Sequence, residues 1–431
     1  MRRRTQVLIA SVVAGTVTFL GVRALTASPS TRPALYGCGE HSGLVVVGGT
    51  DVSAGGQRRA LIQNWRGHDG ERASLVEVGT SSDEQRSQLA AAEEARSCAY
   101  DVLILDAPWI AEFAHRGFLR RVKPEWVTEP TGIFAPVYEA GAWKGTQYAV
   151  PWNTDAGLLY VRKGTPAPGN WHDLLTAGYA AQLADYEGLT VNALEVLWNT
   201  EGLTLTGTVG TVDARTVERR ILPGLQQLAA NRAAADSRSD KEAETLDAFV
   251  RGGATSGPSR GLMRHWPYVF RTLTADPRVH GAFDATPLPG RGYSVLGGQY
   301  LAVSRFSEHA DAAGQLIDDL TDEAAERTLF ACGGFAATRP AAYGNPTCES
   351  ASKDPDAPTV AELGRFAVTL KSALAAAHPR PVTPYYEQFS ETFRTCAANV
   401  LNGHAPSART IADALNAALA GRRSDCPPAE K

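Results

Sequence analysis

Three short apolar runs, LVVV (44–47), SLVEV (74–78) and VLIL (102–105), recur about every thirty residues. Stretches of helical composition, GQRRALIQNW and SDEQRSQLAAAEEARS, lie between them, the second with Ser82 and Gln85 at capping-box spacing. Parallel strands need a crossover connection, and a helix between each pair of strands supplies it. An α/β fold with a parallel sheet is therefore expected from residue 43 onward. At 431 residues the chain is long enough for two domains, each with its own core.

The third run ends in DVLILDAPWIAEFAHRGFLRRV (101–122), which puts Asp106 and Trp109 at the carboxyl end of a strand, before an amphipathic helix. Ligands bind at this edge of open α/β sheets, so the segment points to a small-molecule site. About thirty residues on comes AVPWNTDAGLLYVRK (149–163). Pro151 argues against one continuous central strand, and the segment reads as a crossing between two lobes. Residues 170–280 are mainly helical in character, with a polar Ala- and Arg-rich run at 227–246 expected to be solvated helix. No repeat of solenoid or propeller period is present.

The net charge of −4, with signs mixed along the chain, argues against nucleic acid as a partner. Arg2, Arg3 and Arg4 precede an uncharged apolar run at 7–22, the order of an export signal. A cleaved signal and a retained anchor both fit, since the run falls short of the roughly twenty residues of a spanning helix. Either way the remainder is exported. All six cysteines lie in that part, as suits an oxidising compartment, and no CxxC or His-rich spacing suggests a metal. The G-x-S-x-G, H-E-x-x-H, G-x-G-x-x-G and P-loop signatures are absent, so no enzyme and no cofactor is expected.

The two segments resemble the extracellular solute-binding proteins of carbohydrate ABC importers, in particular the maltose- and trehalose-type proteins. So do GLMRHWPYVF (261–270), VLGGQYLAVSRFSEHADAAGQLIDDLTD (295–322) and RPVTPYYEQFSETF (380–393), and the resemblance covers roughly 43–420. It implies a two-lobed fold with the ligand in a cleft between the lobes. After a signal or anchor (1–24) and a linker (25–42), the first lobe would comprise 43–149 and 288–338, and the second 150–287 and 339–426. It further implies an oligosaccharide ligand, an ABC permease as partner and a monomer. Relatives in single-membrane bacteria usually carry a lipidated cysteine directly after the apolar run. Here Cys38 comes about fifteen residues later, which keeps open a membrane-tethered sensor or scaffold that has the fold but no import role.

A sugar presents ring-plane hydroxyls that need polar partners and a C–H face that packs on aromatic rings. The resemblance places Asp106, Trp109, Asn153, Asp155, Glu187, Trp266 and Arg380 with Tyr386 at such a site. Gly48 to Asp51 should follow the same sheet edge. Many relatives have tryptophan after the two glycines of the VLGGQY motif, whereas this chain has Gly297, Gly298, Gln299 and Tyr300, so Gly298 and Gln299 are candidate ligands of a different kind. Structural alternatives stand beside these roles. Asp106 can cap a helix with Trp109 packed beneath it, Asn153 and Asp155 can form a hinge turn, Glu187 can be an exposed first-turn residue, and Arg380 can anchor a helix by an ion pair. The implied fold makes neighbours of Cys38 and Cys98, Cys332 and Cys348, and Cys396 and Cys426, the expected disulfides.

Overall fold

The computed structural model describes residues 43–79, 81–231, 234–252, 261–348 and 357–428. The expected signal or anchor, the linker and Cys38 lie outside the described residues. Strands β1 (Leu44–Gly48), β2 (Ala73–Glu77) and β3 (Val102–Asp106) pair in parallel around a central β1. Between them run the helices Gln57–Asn64 and Ser82–Glu94. The capping box of the second belongs to Ser81 and Glu84, one residue earlier than the sequence reading: Ser81 is extended and its hydroxyl meets the Glu84 amide.

A small hairpin of β4 (Ala142–Trp143) and β5 (Thr146–Gln147) precedes β6 (Val150–Asp155) and β7 (Leu158–Arg162), which belong to different sheets. The strand β6 joins the first sheet, antiparallel to one strand only, so the missing amide of Pro151 breaks no ladder on a second side. The register also shifts beside Pro151. By contrast β7 is the centre of a second sheet, flanked antiparallel by β8 (Leu262–His265) and β9 (Phe283–Pro287). The chain then re-enters the first sheet as β10 (Ser294–Val303), which lies antiparallel to β3 and β6 and parallel to the short β11 (Ala377–Pro379).

Each sheet is buried on both faces, and the two-residue alternation of a strand assigns its residues. In the first, Val46, Val102, Ile104 and Leu301 pack on one side and Val47, Leu103, Leu105 and Tyr300 on the other. In the second, Leu159 and Val161 face the helices Glu187–Thr200 and Tyr386–Leu401, while Leu158 and Tyr160 face Phe249, Phe270 and Phe330. These are the cores of two lobes. Disulfides join Cys332 to Cys348 and Cys396 to Cys426, with Cα–Cα separations of 5.1 and 5.3 Å. Among the described residues no helix is long and apolar enough to cross a membrane.

Candidate functional site in the seam between the sheets

The residues at this seam come from the ends of elements in both lobes. Asp106 ends β3, Glu187 opens a helix of the second lobe, Trp266 follows β8 and Arg380 follows β11. Arg380 is buried and fastened to both lobes: Nη1 donates to Glu187 Oε1 at 2.8 Å and Nη2 to Asp106 Oδ2 at 3.4 Å. The Tyr386 hydroxyl also donates to Glu187 Oε1, and Ser390 Oγ donates to Oε2 at 2.6 Å. Glu187 is thus a buried junction rather than an exposed first-turn carboxylate. Burial works against the Arg380 charge, but Asp106, Tyr386 and Glu187 outweigh it and raise its pKa. Asp106 Oδ1 accepts from the Ala107 amide at 3.2 Å, so this residue caps the following turn and reaches Arg380 with its other oxygen. Burial raises its pKa, Arg380 pulls it down and Glu187 adds to the rise.

The middle of the seam is β6. Asn153 is 1% exposed, and neither its amide nitrogen nor its oxygen has a hydrogen-bond partner among the described residues. The indole nitrogen of buried Trp152 and Oδ1 of Asp155 are likewise unpartnered. Asp155 is pushed up to about 8 by burial and by the charge of Asp106, with Arg264 and Arg380 acting in the opposite sense. Across the ladder Asn153 faces Gln299 and Asp155 faces Gly297. Gly298 has φ of 126°, and a Cβ there would sit 2.3 Å from the Asn153 carbonyl oxygen, so only glycine lets the two strands close at this point. A Cβ on Gly297 would lie 3.2 Å from the Asp155 Cβ and 3.6 Å from the Trp266 ring, which puts carboxylate and indole side by side.

Trp266 is held from behind. The Arg264 guanidinium lies 3.9 Å from its ring centroid and makes a two-pronged pair with Glu195, Nε to Oε2 at 2.8 Å and Nη2 to Oε1 at 2.7 Å, both residues being 1% exposed. A Cβ on Gly157 would stand 2.6 Å from Glu195 Oε1, so the pair needs glycine there. His265 fixes the backbone: its Nδ1 accepts from the Trp266 amide at 2.9 Å, which leaves Nε2 to donate to the Glu242 carbonyl at 3.0 Å. Burial lowers the His265 pKa to about 3, so the ring stays neutral.

Trp109 is not in this group. The helical turn directs it inward, where it is 5% exposed and packs with Leu105, Phe113 and Tyr300. Gln299 meets a residue the sequence reading did not single out, Arg58, which is 1% exposed. Arg58 also donates to the carbonyls of Gly49 and Thr50 and pairs with Asp51 at 3.5 Å, so the turn after β1 and the altered glycine motif form one network. Its one sequence signal was the i, i+4 spacing to Ile62, the other buried residue of its helix.

With this seam in view, the comparisons are decisive for family. Residues 60–327 match the model of the bacterial extracellular solute-binding proteins. The chain belongs to that family. A probable ABC transporter-binding protein of Deinococcus radiodurans is 25% identical over 394 residues, covering 83% of this chain and 89% of its own. Among solved structures, maltose-bound MalE3 of T. maritima is 25% identical with a TM-score of 0.72, over 88% of this chain and 99% of that one. The GacH receptor of Streptomyces glaucescens, solved unliganded and with acarbose, shares the fold at TM-score 0.68 and 21% identity, over 89% and 100%. A solute-binding protein of Thermotoga lettingae bound with α-D-tagatose does so at 0.70 and 19%, over 88% and 98%. Membership makes this an exported solute-binding protein with the two-lobed fold, in a family that binds its solutes and does not transform them.

Proposed function

We propose that this chain binds an oligosaccharide in the seam between its lobes and delivers it to an ABC importer. The observation that carries the reading is the set of buried polar atoms without partners: both amide atoms of Asn153, Asp155 Oδ1 and Arg380 Nε. Folded proteins leave few such atoms, because each costs on the order of 1–3 kcal/mol. A polyhydroxylated ligand supplies donors and acceptors together, and its C–H face fits the half-buried Trp266 ring, whose opposite side Arg264 supports. Contacts to both lobes exist only when they meet, so ligand favours the closed form that a permease would read.

Thermal unfolding against a panel of di- and oligosaccharides tests this. A ligand at a hundred times its Kd adds about 2.7 kcal/mol, a rise of several degrees for a cooperative domain. Silence across the panel would remove the carbohydrate reading. The late position of Cys38 supports a second reading, a tethered sensor. Mass spectrometry of the mature amino terminus separates the two, since retention of residues 1–24 fits a tether and their loss fits a released receptor.

A further inference from the structure

We infer that the preferred ligand is an amino-substituted sugar or cyclitol, its basic nitrogen held by Asp155; this rests on the carbohydrate reading above. The charges that act on Asp155 are those of Asp106, Arg264 and Arg380. Both guanidiniums already pair with carboxylates. Arg264 is held by Glu195 with two hydrogen bonds, and Arg380 is shared by Glu187 and Asp106. Arg58, in the first lobe, is neutralised by Asp51. Asp155 is left with neither an ion pair nor a hydrogen bond among the described residues, and one of its oxygens is wholly shielded from solvent.

A second observation singles out the same strand face. Asn153 lies two residues along the same strand, hence on a shared strand face, 1% exposed with both amide atoms unpartnered. Opposite Asp155 is Gly297, which has no side chain, so the Trp266 ring is the neighbour there. Carboxylate, amide and indole side by side make a subsite in which an ammonium forms a charge-assisted hydrogen bond, roughly twice as strong as that of a neutral hydroxyl. A hydroxyl meets the geometry of Asp155 but gains no charge-assisted bond there.

The exchange balances in protons. Burial and Asp106 push the Asp155 carboxyl up to about 8, so near pH 6.5 it is protonated in the empty seam. When an ammonium ligand enters, the O–H bond of Asp155 breaks, the carboxylate pairs with the ammonium, and one proton passes to the buffer. A neutral sugar releases none.

The test is isothermal titration of the full-length chain at pH 6.5, in two buffers of different ionisation enthalpy. The probes are glucosamine and galactosamine disaccharides, each compared with its N-acetylated form, and maltose. In at least one pair the free amine should bind tenfold or more tighter than its acetylated form and release close to one proton. Asp155→Asn should abolish both the preference and the release. Equal or tighter binding of the acetylated or neutral sugars would overturn the amine assignment and leave the carbohydrate reading standing. Absence of binding by every probe would overturn both. The acetylated and free forms are compared on the native chain, so the result does not depend on the variant folding.

Discussion

Replacing Arg264 by Met tests the claim that a buried ion pair underpins the Trp266 platform. The side chains of Arg264 and Glu195 are 1% exposed, and two bonds of 2.7 and 2.8 Å join them. Glu195 Oε1 also accepts from Ser294 Oγ at 3.0 Å and from the Val295 amide at 3.1 Å, which tie the pair to the start of β10. Arg264→Met leaves Glu195 as a buried charge with only those two neutral donors, and Glu195→Gln strands the guanidinium. Breaking one side of such a pair costs about 3–5 kcal/mol, whereas replacing both partners is far milder. The double variant Arg264→Met/Glu195→Gln should therefore cost no more than either single change, a coupling of about 3 kcal/mol or more. Urea unfolding gives each value from the midpoint at constant slope. Single costs below about 1 kcal/mol, or additive effects, would refute the reasoning.

Other predictions concern the interior and the rim. Burial pushes buried Glu93 up to about 8, against the pull of Ser304 Oγ at 2.9 and 3.0 Å. Its folded pKa lies above the unfolded 4.5, so its contribution is complete below about 4.5 and is lost as pH rises to about 8. Glu93→Gln should therefore gain in urea midpoint over the native chain across that window and stay level with further rise, and a constant difference at every pH would contradict this. At the rim, Arg394 of the second lobe pairs with Asp83 of the first at 3.0 Å and with Asp185 at 3.1 Å, and Arg86 lies 3.7 Å from Glu387. Partly exposed pairs are worth about 1 kcal/mol or less. Arg394→Gln should therefore raise the ligand-free radius of gyration in X-ray scattering modestly, as 0.5 M salt should in the native chain, and no change in either would dismiss a role in closure. Loss of the Cys396–Cys426 bridge, which spans 30 residues, should cost about 3–4 kcal/mol in the chain-entropy estimate, read by denaturation of the double serine variant.

Much of this architecture was legible because it depends on local pattern. Apolar strands at a thirty-residue period specify the parallel half of the first sheet, and the polar residues ending them, Asp106 above all, fall at the seam because strand ends do. The segment 149–163 runs from one sheet to the other, β6 lying in the first although the second lobe was expected from residue 150, and Pro151 sits within a strand because the one strand beside it there is β10. The side chains that support the site were harder to see. Trp109 stands three residues after Asp106, but a single helical turn decides whether it faces sheet or cleft, and here it faces the sheet. Arg58, Arg264 and Glu195 act through contacts between segments distant in sequence, such as Arg58 to Gln299, and no local spacing records those. Glu187 and Arg380 were named separately, yet their function as one junction depends on Asp106 arriving from the other lobe.

Fluorescence titration of the native chain and of Trp266→Ala with the oligosaccharide panel tests the central claim most directly. Saturable binding to the native chain, weakened tenfold or more in a variant that keeps its unfolding midpoint, is the expected result. Saturable binding of equal affinity in both proteins would take Trp266 out of the site, and no binding to the native chain would contradict carbohydrate recognition at the seam.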